Sequence, residues 1–111
     1  MSVNVYSYHD HLALFRDLLE QRRVRDRRFS HRRLGRSMGF SSPSMLRKIL
    51  RGECRLTAPV VGNLCALLGL AKPERAYVWT MVQLSQTPDL RSRERLERRL
   101  LRLRLGRVAH M

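Results

Sequence analysis

At 111 residues, 43% hydrophobic and 6% aromatic, the chain is long enough to bury one aliphatic core and too short for two, and its composition is that of a folded domain. Lys and Arg number 23 against 9 Asp and Glu, a formal net charge of +14 with only Lys48 and Lys72 as lysines, and the self-repulsion this costs calls for a polyanionic partner. No run approaches the roughly 18–20 consecutive apolar residues of a membrane span and no N-terminal apolar segment reads as a signal peptide, so a cytoplasmic protein without a membrane span is expected.

From Asp10 to Val24, Leu12, Phe15, Leu18 and Leu19 recur at helical spacing, with Leu14 at the edge of the stripe; this is the first predicted helix. The charged connection RVRDRR follows, and Ser30 then caps a short second helix with Leu34 and Met38 inward, ended by Gly39. Ser42 before Pro43 is an N-cap followed by a first-helical-position proline, and starts a third helix over about 42–51. Met45, Leu46, Ile49 and Leu50 point inward on it, and Gly52 stops it. Thr57 caps a fourth helix with Pro59 in its first turn; Val60, Val61, Leu64, Cys65, Leu67 and Leu68 make it apolar nearly all round and so central, up to Gly69. Lys72-Pro73-Glu74 opens a fifth helix, where Ala76, Tyr77, Trp79, Met81, Val82 and Leu84 mix core and surface positions until Thr87-Pro88 breaks the pattern. Leu96, Leu100 and Leu103 mark a last helix that is arginine elsewhere.

Cys54 and Cys65 form no CxxC pair, and His9, His11, His31 and His110 fall at no zinc spacing, so no metal and no cofactor is expected. Cys65 reads as a small core residue and Cys54 as a loop thiol. There is no Gly-rich phosphate loop and no nucleophile beside a base, which argues against an enzyme, and no small-molecule site is legible. Asp10, Asp17, Glu20 and Asp26 read as solvent-side partners for arginines.

Leu34, Gly35, Met38, Gly39 and Phe40 supply what a steep helix-to-helix turn needs: an apolar anchor, a small residue where two helices cross, a second anchor, a glycine for positive φ, and an apolar residue beneath the turn. With these residues in place, the run FSHRRLGRSMGFSSPSMLRKILRGECRLTAPVVGNLCALLGL, Phe29 to Leu70, resembles the lambda-repressor-like, Xre-type helix-turn-helix domain. More narrowly, FSHRRLGRSMGFSSPSMLRKILRG and the later YVWTMVQLSQ resemble the N-terminal domain of a bacterial family of predicted regulators that carry a longer C-terminal region of unknown function, expected to be absent here. The resemblance covers residues 8 to about 87, and GFSSPS is its most specific piece. Phe40 to Gly52 is one residue longer than the usual spacing, and Glu53-Cys54 stands where a basic pair often follows the glycine.

The resemblance implies an all-α architecture: a compact five-helix domain over 1–88, followed by a basic leucine-containing helix or tail over 89–111. It also implies sequence-specific binding of double-stranded DNA by a bacterial or phage-type transcriptional regulator, nucleoid-associated, with the third helix in the major groove. On that helix Ser44, Arg47, Lys48 and Arg51 face outward, Ser41 and Ser42 lie at its N-terminal end to meet phosphate or base, and Arg32, Arg33 and Arg36 run along the backbone. The alternative is a basic helical adaptor for an acidic protein or RNA, with DNA binding non-specific. The leucine stripe of the tail must be covered, either by its own domain or by the tail or fifth helix of a second chain in a homodimer, or else it belongs to a basic helix that binds nucleic acid or an anionic membrane surface directly.

Overall fold

A computed structural model of the chain describes residues 3–40 and 44–109. They form a 3-10 turn at Val5–Ser7 and the helices α1 (His11–Arg25), α2 (His31–Ser37), α3 (Met45–Leu50), α4 (Ala58–Leu67), α5 (Lys72–Gln86) and α6 (Leu90–Ala109), with no strand among the described residues. The fold is all-α, as the periodicity predicts.

The helices start where an acceptor oxygen meets the amides that a first turn leaves open. Asp10 accepts from the Leu12 amide at 3.0 Å, Ser30 from Arg33 at 3.1 Å, and the Glu74 carboxylate from Ala71 at 2.8 Å. Thr57 occupies the cap position of α4 without a side-chain capping bond. Three helices end alike, with Gly39, Gly52 and Gly69 at φ 77°, 75° and 78°. The next amide in each case returns to a carbonyl of the last turn, Phe40 to Gly35, Glu53 to Lys48 and Leu70 to Cys65, each at 3.0 Å.

The acids correct one expectation. Asp10 is a helix cap, Asp17 accepts from the Tyr8 hydroxyl, and Asp26 accepts from the Arg28 amide at 2.9 Å; only Glu20 pairs with an arginine, Arg23, at 3.2 Å. For the first three, a donor of the neighbouring backbone or of the packed N-terminal segment supplies the partner that a distant arginine was expected to be.

The core joins Leu14, Phe15, Leu18 and Leu19 of α1, Leu46, Ile49 and Leu50 of α3, Val61, Leu64 and Cys65 of α4, and Tyr77, Val78, Met81 and Val82 of α5. Leu14 is fully buried and Leu12 half-buried, the reverse of their expected ranks, because α1 is covered by α5 as well as by α3. The central helix is α5, which packs on α1, α4, α6 and the 3-10 turn. By contrast α4, expected to be central, leaves Ala58, Pro59, Asn63 and Ala66 exposed. Burial pushes the Cys65 thiol up to about 11, so it behaves as a small apolar residue.

The C-terminal helix folds back on its own domain: Leu100 and Leu103 pack against the core, and Arg93 donates to the carbonyls of Leu84 and Thr87 at the end of α5. Arg104 donates to the Tyr77 hydroxyl at 2.6 Å, and that hydroxyl donates to the Tyr8 carbonyl at 2.8 Å. Tyr77→Phe therefore strands both a carbonyl and a covered guanidinium. It is expected to cost about 1–3 kcal/mol in urea unfolding and to speed tryptic cleavage within α6; an unchanged midpoint would exclude this role for the hydroxyl.

Candidate nucleic-acid interface

Leu34 and Gly35 are buried on α2, and Phe40 tucks beneath the turn. A Cβ built on Gly35 meets Phe40 Cδ2 at 3.7 Å, an ordinary contact, so the close helix crossing expected at Gly35 is not found; the ring of Phe40 is its neighbour. Gly39 is different. A Cβ there meets nothing within 4 Å, so its φ of +77° alone selects glycine. Gly39→Val should accordingly lower stability by about 1–3 kcal/mol through backbone strain, read as a drop in thermal midpoint that Gly39→Ala only partly reproduces.

In α3, the sequence MLRKIL buries Leu46, Ile49 and Leu50 at the 3-and-4 spacing of one helical stripe. Ser44, Arg47, Lys48 and Arg51 are exposed, as expected. Met45 is not inward: it is 36% exposed, with its sulfur 3.9 Å from that of Cys54. Its neighbour Leu46 holds the centre of the stripe, and one residue of helix rotates Met45 by about 100° to the flank. The helix spans Met45–Leu50, narrower than 42–51, although Ser44 already has helical angles of −81° and −12°. Ser41, Ser42 and the Ser42-Pro43 cap lie outside the described residues.

Two struts fix α3, and neither is apparent from the sequence. Arg16 of α1 donates to the Leu50 carbonyl at 2.7 Å, placing a cation at the negative end of the helix. After the helix, the side-chain amide of Gln86 accepts from the Leu56 amide at 2.6 Å and donates to the Leu56 carbonyl at 2.9 Å, tying the segment to α5. Nothing in pattern or spacing separates Arg16 from the other arginines of its helix.

Beside α3, Arg32, Arg33 and Arg36 are exposed on α2, and Arg22, Arg23, Arg25, Arg27 and Arg28 continue the charge from α1. Arg33 is partly committed, donating to the Arg28 carbonyl at 3.2 Å. A cleft of about 260 Å³ between the end of α1 and α2 is lined by Arg22, Arg28, Arg33 and Ser37, with the carboxylate of Asp26 among them. Arg23–Glu20 is the one ion pair among the described residues, so apart from Arg23 the guanidinium groups of this face have no carboxylate partner there. Behind α3 lies a second cleft, about 390 Å³, with Asp10, His11, Glu53, Cys54 and Arg55 on its walls, which the sequence does not announce. Burial lowers the pKa of His11, keeping it neutral at pH 7. Among the described residues no three His, Cys, Asp or Glu side chains converge to hold a metal ion, and no helix is long and apolar enough to cross a membrane.

Compared with known proteins, residues 14–78, more than half of the chain, match the family model described as a helix-turn-helix domain. No curated protein and no solved structure matches.

Proposed function

The chain belongs to the helix-turn-helix domain family, and from that premise we propose that it reads specific sequences of double-stranded DNA as a bacterial or phage-type transcriptional regulator, with α3 in the major groove. One observation carries this reading: α3 and its two cap residues turn Ser44, Arg47, Lys48 and Arg51 to solvent while the other side of the helix is built into the core. Arg47 at mid-helix suits a guanine edge, through the paired donors that O6 and N7 accept. Arg32 and Arg36, with Arg33 beside them, are read as backbone contacts that fix register. Ser41 and Ser42 are proposed as phosphate or base contacts at the start of the helix. The regulator would work in the cytoplasm, associated with the nucleoid.

Selection of bound fragments from random duplex DNA at near-physiological salt tests the reading. Enrichment of one motif is expected. No enriched motif, or RNA competing as well as duplex, would favour a basic adaptor instead.

The proposal includes a homodimer, since two recognition helices reach half-sites about one helical turn apart. Exposed Leu101 (52%) and Leu105 (57%) on α6 support that helix as the contact. Light scattering of a chain ending at Pro88 and of the full chain, each with and without duplex, should show a dimer for the full chain and a monomer for the shorter one; the same number of chains per particle and equal DNA stoichiometry would exclude α6 as the dimer element.

A further inference from the structure

A second concentration of positive charge lies on α6, apart from the α2–α3 face. Two of its arginines are turned to the domain, Arg93 to the carbonyls of Leu84 and Thr87 and Arg104 to the Tyr77 hydroxyl. The others are not. Arg91, Arg95, Arg98 and Arg102 follow one another at intervals of four, three and four residues, with Arg99 beside them, and all five are exposed and outside any ion pair among the described residues. At 1.5 Å per residue they span about 16 Å of helix. Duplex DNA presents a phosphate charge for about every 1.7 Å of axis, so a helix laid against it meets more phosphates than it has arginines.

These arginines lie apart from those proposed to meet DNA at α3. Helix α6 packs chiefly on α5, whereas α3 packs on α1 and α2. A helix with its side chains is about 10–12 Å across, more than the Debye length of about 8 Å at physiological salt. Phosphates docked on α3 therefore leave the charge of α6 unneutralised.

We infer that the outer face of α6 is a second site for duplex DNA, which makes the chain a bridge between two duplex segments; this rests on the reading of α3 as the first site. A membrane surface fits less well, because an interfacial helix needs its apolar face free, and here Leu100 and Leu103 are already packed against the domain. Pairing the arginine row itself with its own copy fits less well again, since it would set five arginines against five; the dimer contact proposed at Leu101 and Leu105 lies on the flank of that row.

The test uses the full chain and a variant carrying Arg95→Gln, Arg98→Gln, Arg99→Gln and Arg102→Gln. All four side chains are exposed, so the fold is expected to persist, and circular dichroism verifies it. Bridging is read as recovery of a fluorescent duplex on beads bearing an unlabelled duplex, and single-duplex affinity as anisotropy on a short duplex. The loss of four phosphate contacts should lower recovery about tenfold or more. The short-duplex affinity should change by less than about fivefold, because the lost charges are screened from α3. Undiminished recovery would overturn the inference. So would a smaller mass for the variant in light scattering, which would mean that the arginines act through self-association, or phosphatidylserine vesicles or single-stranded RNA displacing the bridged duplex at equal charge. Intact short-duplex binding without bridging by the unmodified chain rejects the α6 site alone, whereas absence of short-duplex binding rejects the α3 reading with it.

Discussion

Leu46→Ala is expected to unfold or soften the domain, at a cost of about 2–5 kcal/mol, while Arg47→Ala, one residue along, leaves the melting curve almost unmoved. Leu46 is fully buried in the one core cluster, to which α1, α4 and α5 also contribute, so truncation leaves a cavity inside it. Arg47 is exposed and its side chain makes no hydrogen bond or ion pair among the described residues, so folding loses little with it. Its loss should appear in binding instead, as about 1–3 kcal/mol on the preferred duplex together with relaxed selectivity at one base pair. Melting curves and a binding titration on the selected motif rank the two variants. If Arg47→Ala were the one that melted early, the phase assigned to α3 would be wrong.

Salt should have an effect of similar size. Arg32, Arg36, Arg47, Lys48 and Arg51 are exposed on α2 and α3, and with Arg33 and the arginines of the α1 end they give roughly 5–7 phosphate contacts. The slope of log K on log salt should then lie near −4.5 to −6, a loss of about a thousandfold between 50 and 200 mM. That is far fewer than the 23 lysines and arginines of the chain. Arg16, Arg75, Arg93 and Arg104 donate to carbonyls or a hydroxyl of their own chain and have less to offer a phosphate. Anisotropy on a short duplex over that range measures the slope, and a value near zero would remove phosphate contacts from the account.

Much of this architecture is legible in the sequence, and the parts that are not share a cause. Helix ends were legible because capping is local: Ser30, Gly39, Gly52 and Gly69 act on atoms within a few residues of themselves. The outward set Ser44, Arg47, Lys48 and Arg51 was legible because Leu46, Ile49 and Leu50 fix the phase of a single short helix. Met45 departs from the expected inward position because an apolar residue type does not fix a direction, and a six-residue helix has room for only one inward stripe. The ranks of Leu12 and Leu14, and the partly exposed face of α4, depend on which helices come to lie alongside, and no local pattern carries that. Arg16 and Gln86 reach carbonyls and amides 34 and 30 residues away, so periodicity within their own helices has no means of marking them.

Those two side chains also decide how portable the reading head is. A segment holding only α2, the turn and α3 would carry every side chain proposed to touch a base, together with the glycine turn, and so would look like a complete cassette. Grafted onto another scaffold it would arrive without Arg16 at its far end and without Gln86 holding Leu56, and α3 is only six residues long. So short a helix does not keep its shape unaided. The smallest transferable unit is therefore set by where the struts are anchored, at Arg16 on α1 and Gln86 at the last position of α5, and it takes in five helices.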